Sequence, residues 1–116
     1  MVDYRSVFRP GLFDGQTAIV TGGGSGIGRC IAHELRSLGA RVALVGRTLE
    51  KLEAVRDELG GGDGVFIHAC DLRQEQPVRE MVAAVLGWAG RIDGLVNNAG
   101  GQFPSRLRDL SLNGWN

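Results

Sequence analysis

Residues Thr21 to Gly28 read "TGGGSGIG", five glycines in eight positions, directly after the apolar run Ala18-Ile19-Val20. Glycine this dense marks backbone that another group must approach closely, since any side chain would hold that group off. Two groups fit: a phosphate held by N–H groups at a helix N-terminus, or a strand-to-helix turn packed tightly on itself. The spacing G-x-G-x-x-G fails, because Ile27 stands where its last glycine falls. T-G-x-x-x-G-x-G does fit, with Gly22, Gly26 and Gly28 at the key places. No Lys-Ser or Lys-Thr pair follows the glycines, which argues against a P-loop.

The flanking pattern supplies the context. Gln16 to Thr21 reads as a strand buried on both faces. Ile27, Ile31, Leu35 and Leu38 then recur at helical spacing, with Gly39 placed to stop the helix. Arg41 to Val45 is a second strand, and Leu49, Leu52, Val55 and Leu59 stripe a second helix that stops at the glycine loop Gly60-Gly61-Gly62. Val65 to Ala69 is a third strand. Val78, Met81, Val82, Val85 and Leu86 stripe a third helix, with Pro77 in its first turn, and a fourth strand begins over Asp93 to Val96. Strands alternating with helices predict an α/β fold, a parallel sheet covered on both faces. Residues 1–14, with Tyr4, Phe8, Phe13 and Pro10-Gly11 but no sustained period, read as an N-terminal arm on a body of residues 15–116.

Composition narrows the function classes. The 116 residues suffice for one domain or a piece of one. Net charge is zero and both signs are dispersed, so no basic stripe awaits nucleic acid or an anionic membrane. Of the 13 basic residues only Lys51 is a lysine, a bias given no mechanistic weight. Cys30 and Cys70 have no metal-ligand spacing and read as free thiols. No apolar run reaches the ~20 residues of a membrane span, and the charged first ten residues are no signal-peptide core, so a cytoplasmic setting is expected.

In a fold of this kind the turn after the first strand holds a dinucleotide pyrophosphate, and the end of the second strand discriminates the ribose. There an acid selects NAD and an arginine NADP. This chain has Gly46-Arg47-Thr48 and no carboxylate before Glu50. That pattern favours NADP(H), with NAD(H) second: Arg47 meets the 2′-phosphate and Thr48 assists. The plain alternative is that Arg47 is a solvated residue entering the second helix.

Two further motifs complete a family pattern: "CDL" at Cys70-Asp71-Leu72 and "NNAG" at Asn97-Asn98-Ala99-Gly100. With the glycine motif, and over nearly its whole length, the chain resembles the N-terminal half of the classical short-chain dehydrogenases/reductases. The resemblance implies a Rossmann-type doubly wound parallel sheet, with its first four strands in order 3-2-1-4 and three helices present. It also implies that Asp71 accepts from the adenine amino group while the Leu72 N–H meets a ring nitrogen. Ser25 would stand near ribose and pyrophosphate, the Ile27 N–H at the phosphate, and the Asn98–Gly100 backbone beside the ribose. Asn97 would tie strand four to its neighbour. The bland alternatives are Asp71 as a helix N-cap and Asn97-Asn98 as a polar turn.

A narrower likeness rests on "SVFRPGLFDGQ" at residues 6–16, "GGQF" at residues 100–103 and the final "GWN". Together these look like the peroxisomal trans-2-enoyl-CoA reductases, the 2,4-dienoyl-CoA reductases and bacterial relatives of citronellol or citronellal oxidation. The likeness implies hydride transfer on an enoyl-CoA or on an acyclic alcohol or aldehyde, with Gln102 and Phe103 near nicotinamide and substrate, or else in an ordinary loop. It also implies a homo-oligomer in the full-length form.

The family's general acid is a tyrosine whose pKa a lysine four residues later depresses, since a phenol near pKa 10 does not work unaided at neutral pH. Here the sole tyrosine is Tyr4, and Asp93 to Asn116 holds no Y-x-x-x-K. The expectation is therefore a coenzyme-binding part that stops before the catalytic residues. The alternative is a catalytically inactive dinucleotide-binding or interaction module.

Overall fold

A computed structural model describes residues 4–100. Four strands, β1 (Thr17–Thr21), β2 (Arg41–Gly46), β3 (Val65–Ala69) and β4 (Gly94–Val96), form one sheet in the order β3-β2-β1-β4. All pairings are parallel. Helices α1 (Gly26–Ser37), α2 (Leu49–Glu58) and α3 (Glu75–Ala89) alternate with them. The strand bounds differ from the sequence reading by a residue at the ends, where pairing frays.

Strand alternation divides the core. Val42 and Leu44 of β2 face one way, with Val20 of β1, onto Ala32 of α1 and Leu52 and Val55 of α2. Ala43 and Val45 face the other way, with Ile19, onto Met81 and Val85 of α3. Both faces are therefore covered, the doubly wound arrangement that a near-continuous apolar strand such as "VALV" requires. Burying each large aliphatic side chain here contributes about 1.5–3 kcal/mol relative to exposure.

Three helical stripes differ in detail from the sequence reading. Ile27 is 71% exposed, and Leu49 and Leu86 also lie open. On α1 the buried helical residues are Gly28, Ala32 and His33, Ile31 and Leu35 pack half-buried against the core, and Leu38 is buried at the helix end. Small residues face the sheet, so the helix comes close and its larger neighbours are turned to the flanks. On α3 the position opposite the sheet passes from Val85 to Trp88, which stacks on Phe66 at 5.2 Å, and Leu86 falls outside it. The glycine loop after α2 is in part ordered as a short 3-10 turn, Gly62–Gly64.

Ahead of β1, the Phe13 N–H donates to the Leu38 carbonyl at 2.9 Å. Tyr4 and Ser6 both donate to the Glu34 carboxylate on α1, and Tyr4 stacks on His33. Among the described residues no helix is long and apolar enough to cross a membrane.

Candidate functional site

The strand register brings four loops to one rim. Thr21 lies across from Val45, Gly46 from Ala69, and Val96 from Val20, so the chain leaves all four strands on the same side. The order reverses there: β1 continues leftward through α1 to β2, while β4 lies on its other side. Such a switch point leaves a crevice at the carboxyl ends of the strands. The crevice is an open cleft of about 700 Å³, lined by residues of the β1–α1 loop, the ends of β2 and β3, and the segment after β4.

The glycine loop is shaped by what surrounds each member. Gly22 has φ +67° and Gly26 φ +57°, values that residues with side chains rarely adopt. A Cβ at Gly26 would meet no protein atom within 4 Å, so that position faces open space. A Cβ at Gly28, in contrast, would collide with the Gly22 carbonyl oxygen and the Asn98 amide. Two glycines that the motif leaves unassigned are also constrained. Gly23 packs against Leu44 of β2, and Gly24 against Lys51 of α2, a hypothetical Cβ at each lying 3.0 Å from its neighbour.

Helix α1 begins at this loop with Ser25 as N-cap, in extended conformation and with no side-chain capping bond. Its first turn carries no acidic residue. The positive end of the helix is thus uncompensated by a nearby acid, and the Ser25 hydroxyl makes no capping bond to it.

Thr21 locks the opposite wall. Its hydroxyl donates to the Val96 carbonyl at 3.0 Å and accepts from the N–H groups of Asn98 and Ala99 at 2.9 and 3.0 Å. The Asn98 amide adds a bond to the Gly22 carbonyl at 3.4 Å. These contacts differ from the expected tie through Asn97. The Asn98 N–H also bonds back to the Val96 carbonyl at 3.1 Å, a tight turn centred on Asn97. The turn directs Asn97 to the cleft lining and hands the cross-strand tie to Thr21 and Asn98.

At the far end of the cleft stand Arg47, Asp71 and Arg73. Helix α3 starts at Glu75 with Gln74 as N-cap, so Asp71 is not its cap. The Asp71 carboxylate instead receives the Arg73 Nε and Nη2 at 3.1 Å each, and the Arg73 backbone N–H at 3.0 Å. The Arg73 guanidinium, then its backbone N–H, hold Asp71 well below the usual carboxylate range, at about 2, with a smaller contribution from Arg47. Arg47 itself makes no hydrogen bond or ion pair with any other described residue. Cys70 lines the same end; burial and the adjacent Asp71 push its thiol pKa up.

Of the residues expected at the site, Thr21, Gly22, Ser25, Arg47, Asp71, Leu72, Ala99 and Gly100 line one cleft. Gly26, Ile27, Gly28, Thr48 and Asn98 adjoin it without lining it. Gln102 and Phe103 lie outside the described residues. Sequence reasoning passed over Arg73, and named Gly46 only as the neighbour of Arg47. An arginine two residues beyond the acid of "DLR" was the available signal for the first.

The arrangement fits a dinucleotide: glycine-lined backbone at a helix start, an arginine at the end of β2 with no partner among the described residues, and an ionised acceptor beyond β3. Comparison with known proteins agrees. The short chain dehydrogenase family model matches residues 16–116. The peroxisomal 2,4-dienoyl-CoA reductase of Arabidopsis thaliana is 37% identical over 95% of this chain and 37% of its own length. The solved structure of a citronellol catabolism dehydrogenase from Pseudomonas aeruginosa PAO1 superposes with TM-score 0.81 at 58% identity, covering 97% of this chain and 46% of that one. A metagenomic short-chain oxidoreductase in complex with NADP superposes with TM-score 0.74 at 45% identity, over 89% of this chain and 48% of that one. The chain thus spans about two fifths of the length of the curated relatives it matches. By its fold, its glycine cradle and these likenesses, the chain belongs to the short-chain dehydrogenase family of oxidoreductases, whose members bind a nicotinamide dinucleotide.

Proposed function

We propose that this chain is the coenzyme-binding part of an NADP(H)-dependent oxidoreductase that moves hydride to or from an enoyl-CoA or an acyclic alcohol or aldehyde. The observation that carries the NADP(H) preference is Arg47. It lies at the end of β2, in the same cleft as the glycine loop, with no partner among the described residues and no carboxylate at that position. An unpaired guanidinium suits a 2′-phosphate, which it can grip with two parallel bonds.

The remaining roles follow the cleft. Gly22, Gly26 and Gly28 keep the pyrophosphate approach clear, the Ile27 N–H and Ser25 hydroxyl bind there, and Thr48 assists Arg47. Asp71 and Leu72 take the adenine edge, and Asn98, Ala99 and Gly100 the ribose. The bound coenzyme supplies the hydride chemistry; these residues orient it. Residues 15–116 form that half of the domain and residues 1–14 an arm on it. The substrate class is supported by relatives named for dienoyl-CoA reduction and citronellol catabolism. A cytoplasmic homo-oligomer is the proposed setting.

The test is titration of the purified protein with NADPH and NADH, followed by fluorescence. Arg47→Ala is expected to weaken NADPH by roughly tenfold or more and to leave NADH unchanged, the loss of one charge-assisted contact. Equal affinity of the unaltered protein for both coenzymes would overturn the role of Arg47.

A non-catalytic binding module is the second reading, favoured by the sole tyrosine. Tyr4 donates to Glu34 on α1, and that bond raises its pKa, the reverse of what a phenolic general acid needs. NADPH consumption with an enoyl-CoA or citronellal would decide for the reductase; a 116-residue chain that is folded by circular dichroism and binds coenzyme would favour the module, and an unfolded one would rule it out.

A further inference from the structure

Two arginines share the far end of the cleft, and of the two only Arg47 has no partner among the described residues. Arg73 is forked onto Asp71 through Nε and Nη2, and its backbone N–H reaches the same carboxylate. A carboxylate offers about four acceptor sites. Oδ1 accepts two of these bonds and Oδ2 one, so one acceptor site remains, on Oδ2. Beside it, the Leu72 N–H donates to no acceptor among the described residues. An acceptor and a donor one residue apart match the adenine edge, where an amino group lies next to a ring nitrogen.

We infer that Arg73 is a positioning residue for coenzyme recognition: its fork on Asp71 fixes the carboxylate so that Oδ2 alone faces the adenine amino group, leaving the 2′-phosphate to Arg47. This inference rests on the dinucleotide reading above. Asp71 sits on the loop between β3 and α3 and, without the fork, would keep only the Arg73 N–H on Oδ1, leaving Oδ2 unfixed; with the fork, Oδ2 is held before the ligand arrives. The Arg73 side chain is 61% exposed, so its truncation removes little buried surface.

The experiment is calorimetric titration of the purified protein with NADPH, NADH and the hypoxanthine analogue of NADPH, in which the amino group is replaced by a carbonyl. Arg73→Ala is expected to weaken NADPH and NADH alike by roughly tenfold and to leave the hypoxanthine analogue unchanged. Arg73→Lys, which keeps the charge and loses the fork, is expected to behave like Arg73→Ala. A loss confined to NADPH would make Arg73 a phosphate ligand and overturn the inference. So would an equal loss on all three compounds, no loss at all, or full rescue by lysine.

Asp71→Asn separates the two levels. If it keeps the full preference for adenine over hypoxanthine, the adenine edge is not read at Asp71, and the dinucleotide assignment of this loop falls along with the inference. If it abolishes that preference while Arg73→Ala does not, the inference alone fails.

Discussion

The two ends of β1 carry the same residue in the same degree of burial. Thr17 is 1% and Thr21 4% exposed, and at four residues apart they point to the same face. Their hydroxyls differ completely. Thr21 donates once and accepts twice, which is the whole hydrogen-bonding capacity of a hydroxyl. The Thr17 hydroxyl has no partner among the described residues. That end is held through the backbone instead: the Thr17 N–H donates to Asp93 Oδ2 at 2.8 Å, and its carbonyl accepts from the Asp93 N–H at 2.8 Å. The cleft end is thus locked by neutral groups that set the path of a binding segment. The far end is tied by a carboxylate that sets only where β4 begins.

Gly28 gives the largest expected effect at the cleft end. Gly28→Ala drives a methyl group into the Gly22 carbonyl and the Asn98 amide, and neither can retreat without opening the glycine loop. Stability should fall by about 3 kcal/mol, as for overpacking of a closed site. Coenzyme affinity should fall by roughly a hundredfold, because the cradle itself is displaced. Denaturant unfolding and NADPH titration read the two effects. Thr21→Val comes next: it keeps the shape, leaves the Ala99 N–H without its partner and the Asn98 N–H and Val96 carbonyl with only each other, and should cost about 2 kcal/mol with weaker coenzyme binding. If Thr21→Val leaves both unchanged, the contrast between the two ends collapses.

The difference between the ends also marks what sequence could show. The strands were legible because "TAIVT" and "RVALV" are apolar runs stopped by glycine, and the rim of the cleft followed from the motifs that end them. Within the glycine loop, Gly23 and Gly24 were not legible. Their constraints come from Leu44 and Lys51, which lie on other elements and enter only through tertiary packing. On α1 the stripe was legible in Ile31, Leu35 and Leu38, which pack on the core, but not at Ile27, which lies open because Gly28 and Ala32, by their smallness, decide which face meets the sheet. The cross-strand tie expected of Asn97 falls to Thr21 and Asn98 because one tight turn after Val96 breaks the alternation that sequence spacing assumes. The orphan hydroxyl of Thr17 leaves no sequence signal at all.

Asp93 sharpens the comparison through pH. The forked Arg91 guanidinium, and then the Thr17 N–H, hold its pKa below the ordinary 3.8. A carboxylate depressed on folding stabilises above its unfolded pKa and loses that contribution as pH falls through the folded value. The tie at this end should therefore be at full strength above about pH 5 and fade below the ordinary 3.8. Asp93→Asn should lower the denaturation midpoint modestly at neutral pH and flatten its decline below pH 4, so that the two curves converge in acid. Thr21→Val should lower the midpoint by the same amount at both pH values, since none of its partners titrates. Parallel curves for Asp93→Asn and the unaltered protein would show that the carboxylate is not what holds this end.

Thr17→Val is the smallest expected change and the only one with the opposite sign. A buried hydroxyl without a partner has given up its hydration and gained nothing in return. Valine has nearly the same shape, so the substitution leaves no cavity and removes only the desolvation cost. The backbone bonds of Thr17 to Asp93 do not involve the side chain and survive. Stability should rise by about 1 kcal/mol, read as a higher denaturant midpoint at an unchanged slope, with coenzyme affinity unaltered. A loss of stability would mean that the Thr17 hydroxyl has a partner in solution, and the two ends of β1 would then be held in the same way.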